Sequence, residues 1–449
     1  MKNNHTQAIN SIEIARQTAM PFYFLITAII ILVSLLTPHR AQGATGDLDP
    51  RFGNGGVAIT DFAQTEDYAY AVAVQADGKI VVSGQSGVYP NLHSALVRYN
   101  RSGRLDSTFG TGGKVTVTFN SVSDYLFALA LQSDGKIVAA GSTSGTAFLL
   151  ARFNADGSLD QGFGNNGSVE TTFGDQTAAA SAIVVQADGK IIVVGVSGAG
   201  PYSELNDFAL ARCNSDGSLD QTFGGTGKFK THFPGVDNTG SSATSVALQP
   251  DGKLVVGGYY KKNDRTPHQF ALARYNSNGT LDSGFGQAGK VMTGMGLGDA
   301  YSFGIALQSN GRIVLAGYSS TTLDHDFSLA GYTANGTLDS TFGNGGFMTT
   351  DLSGATDDIA YAMTAQSDGK LVVAGRTGEY PQNDFAVARY SSDGQLDQTF
   401  GVGGKVVSDF SSIDQAYGIA LQSNGRIVLA GISFNGANFD FTVARYLGR

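Results

Sequence analysis

Acidic residues recur at two fixed places in this sequence, and gathered carboxylates are the chemistry it offers most plainly. Asp67, Asp124, Asp358 and Asp414 each stand eight residues before a repeated Gln, and Asp299 is displaced from that place by one position. A second acidic set, Asp207, Asp326, Asp384 and Asp440, opens a recurring apolar segment. Hard oxygens collected at one mouth suit Ca2+ or a basic ligand. The same residues also read as loop caps, each Asp closing its own turn by an Asx-type hydrogen bond, and capping is the plainer reading. Asp67, Asp124, Asp299, Asp358 and Asp414 are therefore the candidate binding arc. Asp358, Asp384, Asp414 and Asp440 are the candidate metal ligands. No catalytic residue and no cofactor other than such a cation is expected.

Other reactive patterns fail on spacing. The GTGGKV stretch from Gly110 lacks the phosphate-loop spacing and the hydroxyl after Lys114. Asn154 to Asp160 begins like a calcium loop, but its Gly comes too early and the closing Glu is missing. His5 and His39 lie near the N-terminus, and His93, His232, His268 and His325 are scattered without ligand spacing. Neither HExxH nor GxSxG occurs. Cys213, the single cysteine, stands where other units carry Tyr or Phe, so a buried inert thiol is expected. There is no Trp to stack a sugar or a quinone cofactor. Tyr89, Tyr202, Tyr259, Tyr260 and Tyr380 fall in or beside variable loops and can stack instead.

The elements that position these residues follow from an internal repeat. Q-x-[DN]-G-[KR]-[IL] occurs at Gln75, Gln132, Gln186, Gln249, Gln308, Gln366 and Gln422, a period of about 58 residues. L-D-x-x-F-G begins at Leu48, Leu105, Leu159, Leu219, Leu281, Leu338 and Leu396. An A-x-x-R-Y-like segment ends at Tyr99, Phe153, Cys213, Tyr275, Tyr332, Tyr390 and Tyr446. Each unit reads as four antiparallel strands. Tyr70 to Gln75 alternates small and larger residues, as an innermost strand beside a channel would. Asp77-Gly78 makes a tight turn, and Lys79 to Ser83 is β-branched and buried. Ala95 to Asn100 is the third strand. Leu105 to Phe119 is expected as the fourth, broken by an F-G-x-G-G bulge. Seven such units predict an all-β, seven-bladed propeller. The QxDGKIVVAG-, DFALARYN- and LDxxFGxGGKV-type segments resemble the delta-60 repeat, a bacterial extracellular family similar in blade order to NHL-repeat propellers. The resemblance covers roughly residues 46–449 and implies a secreted or surface propeller without a transferable catalytic residue. The unit at Gln308 departs from it, with Gly331 in place of Arg.

The repeat is cut inside one hairpin. The chain enters at the LDxxFG strand and leaves after Arg445-Tyr446. A linear array would expose both cut edges, so the ends are predicted to meet and close a ring. In five intact hairpins an Arg precedes the LD-motif Asp by eight residues. Asp49 and Arg445 lack such a partner and are predicted to pair across the closure.

Residues 1–43 differ in kind. Lys2 and Arg16 precede an apolar run from Pro21 to Pro38, and Ala41-Gln42-Gly43 offers a cleavage site. This reads as a signal peptide, the alternative being an uncleaved anchor, because the run approaches the roughly 17-residue minimum for a span. The propeller would occupy 44–449, secreted or at the cell surface. Without the leader's three basic residues and one acidic residue, 26 Lys and Arg face 37 Asp and Glu, a net charge of −11. That balance disfavours nucleic acid and anionic membrane surfaces as partners, because both need a basic footprint; no nucleic acid is expected. The expected membrane contact is only through the N-terminal segment, and the propeller is expected to be monomeric. Both repeated turns lie on one face, so the variable loops share the other. The function expected is a non-enzymatic scaffold binding an extracellular protein or glycan through that face. The alternative is a secreted hydrolase or lyase with acids at the channel mouth.

Overall fold

The computed structural model describes residues 43–449 apart from 120–122, 200–205, 235–239, 264–265, 297, 321–323 and 355. The leader, its histidines and Tyr202 lie outside the described residues. Ala44–Arg449 is one compact unit. Its described residues form 28 strands in seven four-stranded antiparallel sheets and no helix.

Blade 1 shows the rule, its strands Glu66–Val74, Ile80–Val88, Asn91–Tyr99 and Lys114–Val117 pairing in chain order. The second strand carries the β-branched run and is almost wholly buried, because neighbouring blades cover both of its faces. A strand with no solvent face reads as continuous apolar sequence rather than as alternation. Seven core clusters result, one in each seam between blades. Val81 and Leu96 of blade 1 pack with Leu126, Ile137 and Leu149 of blade 2. Phe52, Val82 and Val97 pack with Val428 and Val443 at the closing seam. Each fully buried Val, Leu or Phe contributes about 1.5–3 kcal/mol.

The expected bulge lies in a different strand. All seven inner strands shift register against the second strand, between Ala69 and Ala71 in blade 1 and at the equivalent places elsewhere. The bulge presses a carbonyl against the second strand, which is why a Gly recurs there. A Cβ at Gly84 would stand 1.9 Å from the Tyr68 carbonyl oxygen. The outer strand is shorter than expected. Leu105 makes only an isolated bridge to Tyr99, LDxxFG forms turns, and regular pairing is confined to Lys114–Val117. Backbone bonds within the turn satisfy its amides, as from Phe109 N to Asp106 O at 3.0 Å, so the strand pattern gives way.

The ring closes as the cut repeat predicts. Val57–Thr60 pairs antiparallel with the C-terminal strand, Val57 opposite Ala444 and Thr60 opposite Phe441. That sheet is completed by Ile427–Phe434 and Asp414–Leu421. The Asp49 amide donates to the Arg445 carbonyl at 2.7 Å, and the Gly46 amide to Leu447 at 2.7 Å.

Candidate functional site

On the repeated-turn face, every LD-motif aspartate receives cations from within its own blade. Asp106 lies 2.8 Å from Arg98 Nε and 2.9 Å from Lys79 Nζ. The Lys is the one in the QxDGK turn, so the two repeated motifs meet at a single carboxylate. The Arg guanidinium also lies over the motif Phe, with Arg98 4.5 Å from the centre of Phe109. From there it reaches the next blade. Arg212 Nη1 donates to the Ser277 carbonyl at 2.5 Å, Arg389 Nη1 to Gly448 at 2.6 Å, and Arg445 Nη1 to Arg101 at 2.6 Å. The closure pair follows the same plan. Arg445 Nη2 lies 2.9 Å from Asp49 Oδ2, and Arg426 Nε lies 2.6 Å from the same oxygen. Burial opposes ionisation at Asp49, but the Arg51 amide and the two guanidinium groups outweigh it and hold the carboxyl below its usual range. At Asp106 burial is likewise outweighed, by Lys79, Thr108 and Arg98.

Blade 5 departs from this plan and compensates. A Cβ at Gly331 would lie 2.4 Å from the Phe342 ring, so the ring fills the space an Arg would need. Arg312, the turn residue, takes over both tasks. It lies 2.7 Å from Asp339 and donates from Nη1 to the Ser392 carbonyl of blade 6 at 2.8 Å. Cys213 is buried, and burial pushes its thiol up to about 12, which leaves it unreactive.

The variable face treats its acids differently. Asp67, Asp124, Asp358 and Asp414 are wholly buried. Each accepts a backbone amide from the loop before it: Phe62 and Phe119 at 2.7 Å, Leu352 at 2.5 Å and Phe410 at 2.7 Å. They reach back four to six residues rather than forming two-residue Asx turns. Asp299 is far more exposed and accepts the His268 amide at 2.7 Å.

Across three consecutive seams these acids meet the second acidic set. Carboxylate oxygens of Asp61, Asp67 and Asp440 lie within 4.8 Å of one another, as do those of Asp326, Asp351 and Asp358, and those of Asp384, Asp409 and Asp414. The four candidate metal ligands are thus spread over three groups, with Asp384 and Asp414 together. Sequence reasoning missed Asp61, Asp351 and Asp409, which end the outer strands in T-D-F, T-D-L and S-D-F. Burial and the neighbouring carboxylates push Asp326 and Asp358 up to about 6 and raise Asp384. Burial also raises Asp67 and Asp440. Two other seams carry histidine instead. His93 Nδ1 lies 2.6 Å from Thr118 Oγ1, and His232 Nδ1 lies 2.9 Å from Asp207.

The channel wall holds a second feature that the sequence reading passed over. Five residues before the repeated Gln stand Tyr70, Phe127, Phe303, Tyr361 and Tyr417, with Ser181 and Thr244 in the two remaining blades. All seven line a cavity of about 320 Å³ where the inner strands converge. Ring contacts run from blade to blade: Phe127 to Tyr70 at 5.1 Å, Tyr70 to Tyr417 at 5.7 Å, Tyr417 to Tyr361 at 4.9 Å and Tyr361 to Phe303 at 6.0 Å. The wall is therefore aromatic over five blades and hydroxylated over two. Tyr301 stacks on His268 at 4.5 Å, its hydroxyl 2.8 Å from Nδ1, and Asp299 Oδ1 lies 3.0 Å from the same nitrogen. Of the variable-loop tyrosines, Tyr89 and Tyr380 are 80% and 75% exposed, whereas Tyr260 is buried and Tyr259 packs at 4.9 Å against Tyr301.

Six segments, residues 75–109, 132–163, 186–223, 249–285, 308–342 and 366–400, match the family described as "Domain of unknown function (DUF5122) beta-propeller". Each runs from the QxDGK turn to LDxxFG. These matches support a propeller repeat family. Among curated proteins none matches the sequence. Among solved structures, the chain is similar to a catalytically inactive virginiamycin B lyase from Staphylococcus aureus. That likeness has 13% identity, covers 86% of this chain and 98% of that one, and has a TM-score of 0.49. The polysaccharide lyase Uly1 gives 13% identity, coverage of 92% and 94%, and a TM-score of 0.48. Sqt1 from Chaetomium thermophilum gives 14% identity, coverage of 90% and 98%, and a TM-score of 0.46.

Proposed function

We propose that this propeller, of the delta-60 kind, is a secreted or surface-exposed, non-enzymatic scaffold that holds an extracellular protein or glycan on its variable-loop face. The observation that carries the reading is the placement of exposed aromatics. Tyr89 and Tyr380 project from loops of blades 1 and 6, flanking the closing blade. Between them Phe434, Phe439 and Tyr68 form a chain of rings, 5.2 and 5.3 Å apart, continuing to Tyr70 on the channel wall. Large rings on loops held by a rigid scaffold give contact area at little entropic cost, as ligand surfaces require. The test compares the protein with its Tyr89→Ala/Tyr380→Ala variant on immobilised bacterial polysaccharides and surface proteins. At least tenfold weaker retention of the variant, with the ligand recovered unaltered, is expected. Equal retention refutes the reading.

A second reading, a hydrolase or lyase, is supported by one observation, the Asp299–His268–Tyr301 contact. An imidazole between a carboxylate and a phenol is a plausible general base in outline. Both partners, however, meet the same Nδ1, which leaves no relay through the ring. Product release from the same polysaccharide panel, abolished by His268→Ala, would establish this reading over the scaffold.

A further inference from the structure

We propose that Asp61, Asp67 and Asp440 bind a divalent cation of the Ca2+ class in the seam that closes the ring. The site adjoins the aromatic surface, Asp67 and Asp440 being chain neighbours of Tyr68 and Phe439, but does not depend on what that surface holds.

Three chain segments build the site. Asp440 opens the third strand of one blade, Asp61 ends the outer strand beside it, and Asp67 enters the inner strand of the next blade. Oxygens bound to one Ca2+ at about 2.4 Å stand at most about 4.8 Å apart. All three carboxylates meet that limit mutually.

The second observation is an unsatisfied atom. Asp440 is 5% exposed, and its Oδ1 has no hydrogen-bond donor, while Oδ2 accepts from Asn435 Nδ2 at 2.9 Å. A buried carboxylate oxygen without a partner is costly, and a bound cation removes the cost. Among the described residues, no Lys, Arg or His forms an ion pair with any of these three carboxylates, although all seven turn-face aspartates have one. Lys114 donates instead to the Asp61 carbonyl and lies 5.4 Å from the Phe62 ring. Hard oxygen donors without nitrogen or sulfur select Ca2+ over transition metals.

The test is calorimetric titration of the EDTA-stripped full chain with CaCl2, alongside thermal unfolding. Saturable binding of one equivalent and a higher melting temperature are expected. Asp61→Asn keeps the oxygen that caps the Ala63 and Gln64 amides, so its fold is preserved. That variant should lose the equivalent or bind it at least tenfold more weakly. No saturable heat and no thermal shift at millimolar Ca2+ overturns the proposal. So does binding that the folded Asp61→Asn variant retains in full, which would place the ion elsewhere.

Discussion

Aspartate serves opposite ends on the two faces of this ring. On the repeated-turn face each LD-motif Asp lies against a Lys or Arg from the turn, usually with a second Arg that also bridges to the next blade. On the variable face the buried Asp67, Asp326, Asp358, Asp414 and Asp440 crowd more exposed aspartates without an ion-pair partner among the described residues. The carboxyls of the first group are held below their usual range, and several of the second are pushed above it. Burial alone therefore does not determine what an acid does for the fold. The sign of its neighbours does. One face is internally compensated, which favours identical repeats, while the other keeps uncompensated charge and varied loops, as expected where something external binds.

Acidification is the strongest way to break this contrast. The turn-face aspartates release protons more readily in the folded protein than in the unfolded chain. Their stabilisation is therefore complete above the unfolded value of about 3.9 and is lost as pH falls through the lower folded values. The melting temperature should drop steeply below about pH 4, with all seven blades affected together. A profile flat down to pH 2, measured by circular dichroism, would show that the clamps contribute little. Next in size is Arg445→Ala. It leaves Asp49 buried, removes the bridge to Arg101, and should destabilise the closed ring by about 3–5 kcal/mol in denaturant unfolding. Exchanging the pair, Asp49→Arg with Arg445→Asp, should restore only part of this, because Arg426 would then face the new arginine. Full recovery would show that Arg426 is indifferent. The smallest effect should have the opposite sign. In EDTA, Asp440→Asn removes one of the crowded charges and should leave stability unchanged or raise it by up to about 1 kcal/mol. A loss of 2 kcal/mol or more would mean that the two faces do not differ as described.

Most of the architecture was legible because its determinants are local and repeat in one phase. The QxDGK turn, the β-branched strand after it and the cut hairpin gave seven blades and the pairing of Asp49 with Arg445. The outer strand was read too long, since Leu105 to Gly113 has an apolar pattern but satisfies its amides in turns. The bulge was placed in that strand, whereas Gly84 and its counterparts mark it on the inner one. Both acidic sets were visible as sequence positions. Their meeting across a seam was not, because Asp440 and Asp67 are 373 residues apart and only the register of the closing strand brings them together. Tyr70, Phe127, Phe303, Tyr361 and Tyr417 shared an offset that could have been read. The alternation in Tyr70 to Gln75 marks an innermost strand beside a channel, but it does not by itself say that the larger residues of five blades meet there.

The way the closing strand enters its blade has a mechanical consequence. Gly46 lies beside Leu447, and pairing runs inward from there to Thr60 opposite Phe441. Tension applied to the two chain ends therefore peels this ladder from one side, one bond after another, instead of shearing it along its length. Under load the circle gives way first at its clasp, and the six blades formed from uninterrupted chain are the last to feel the pull.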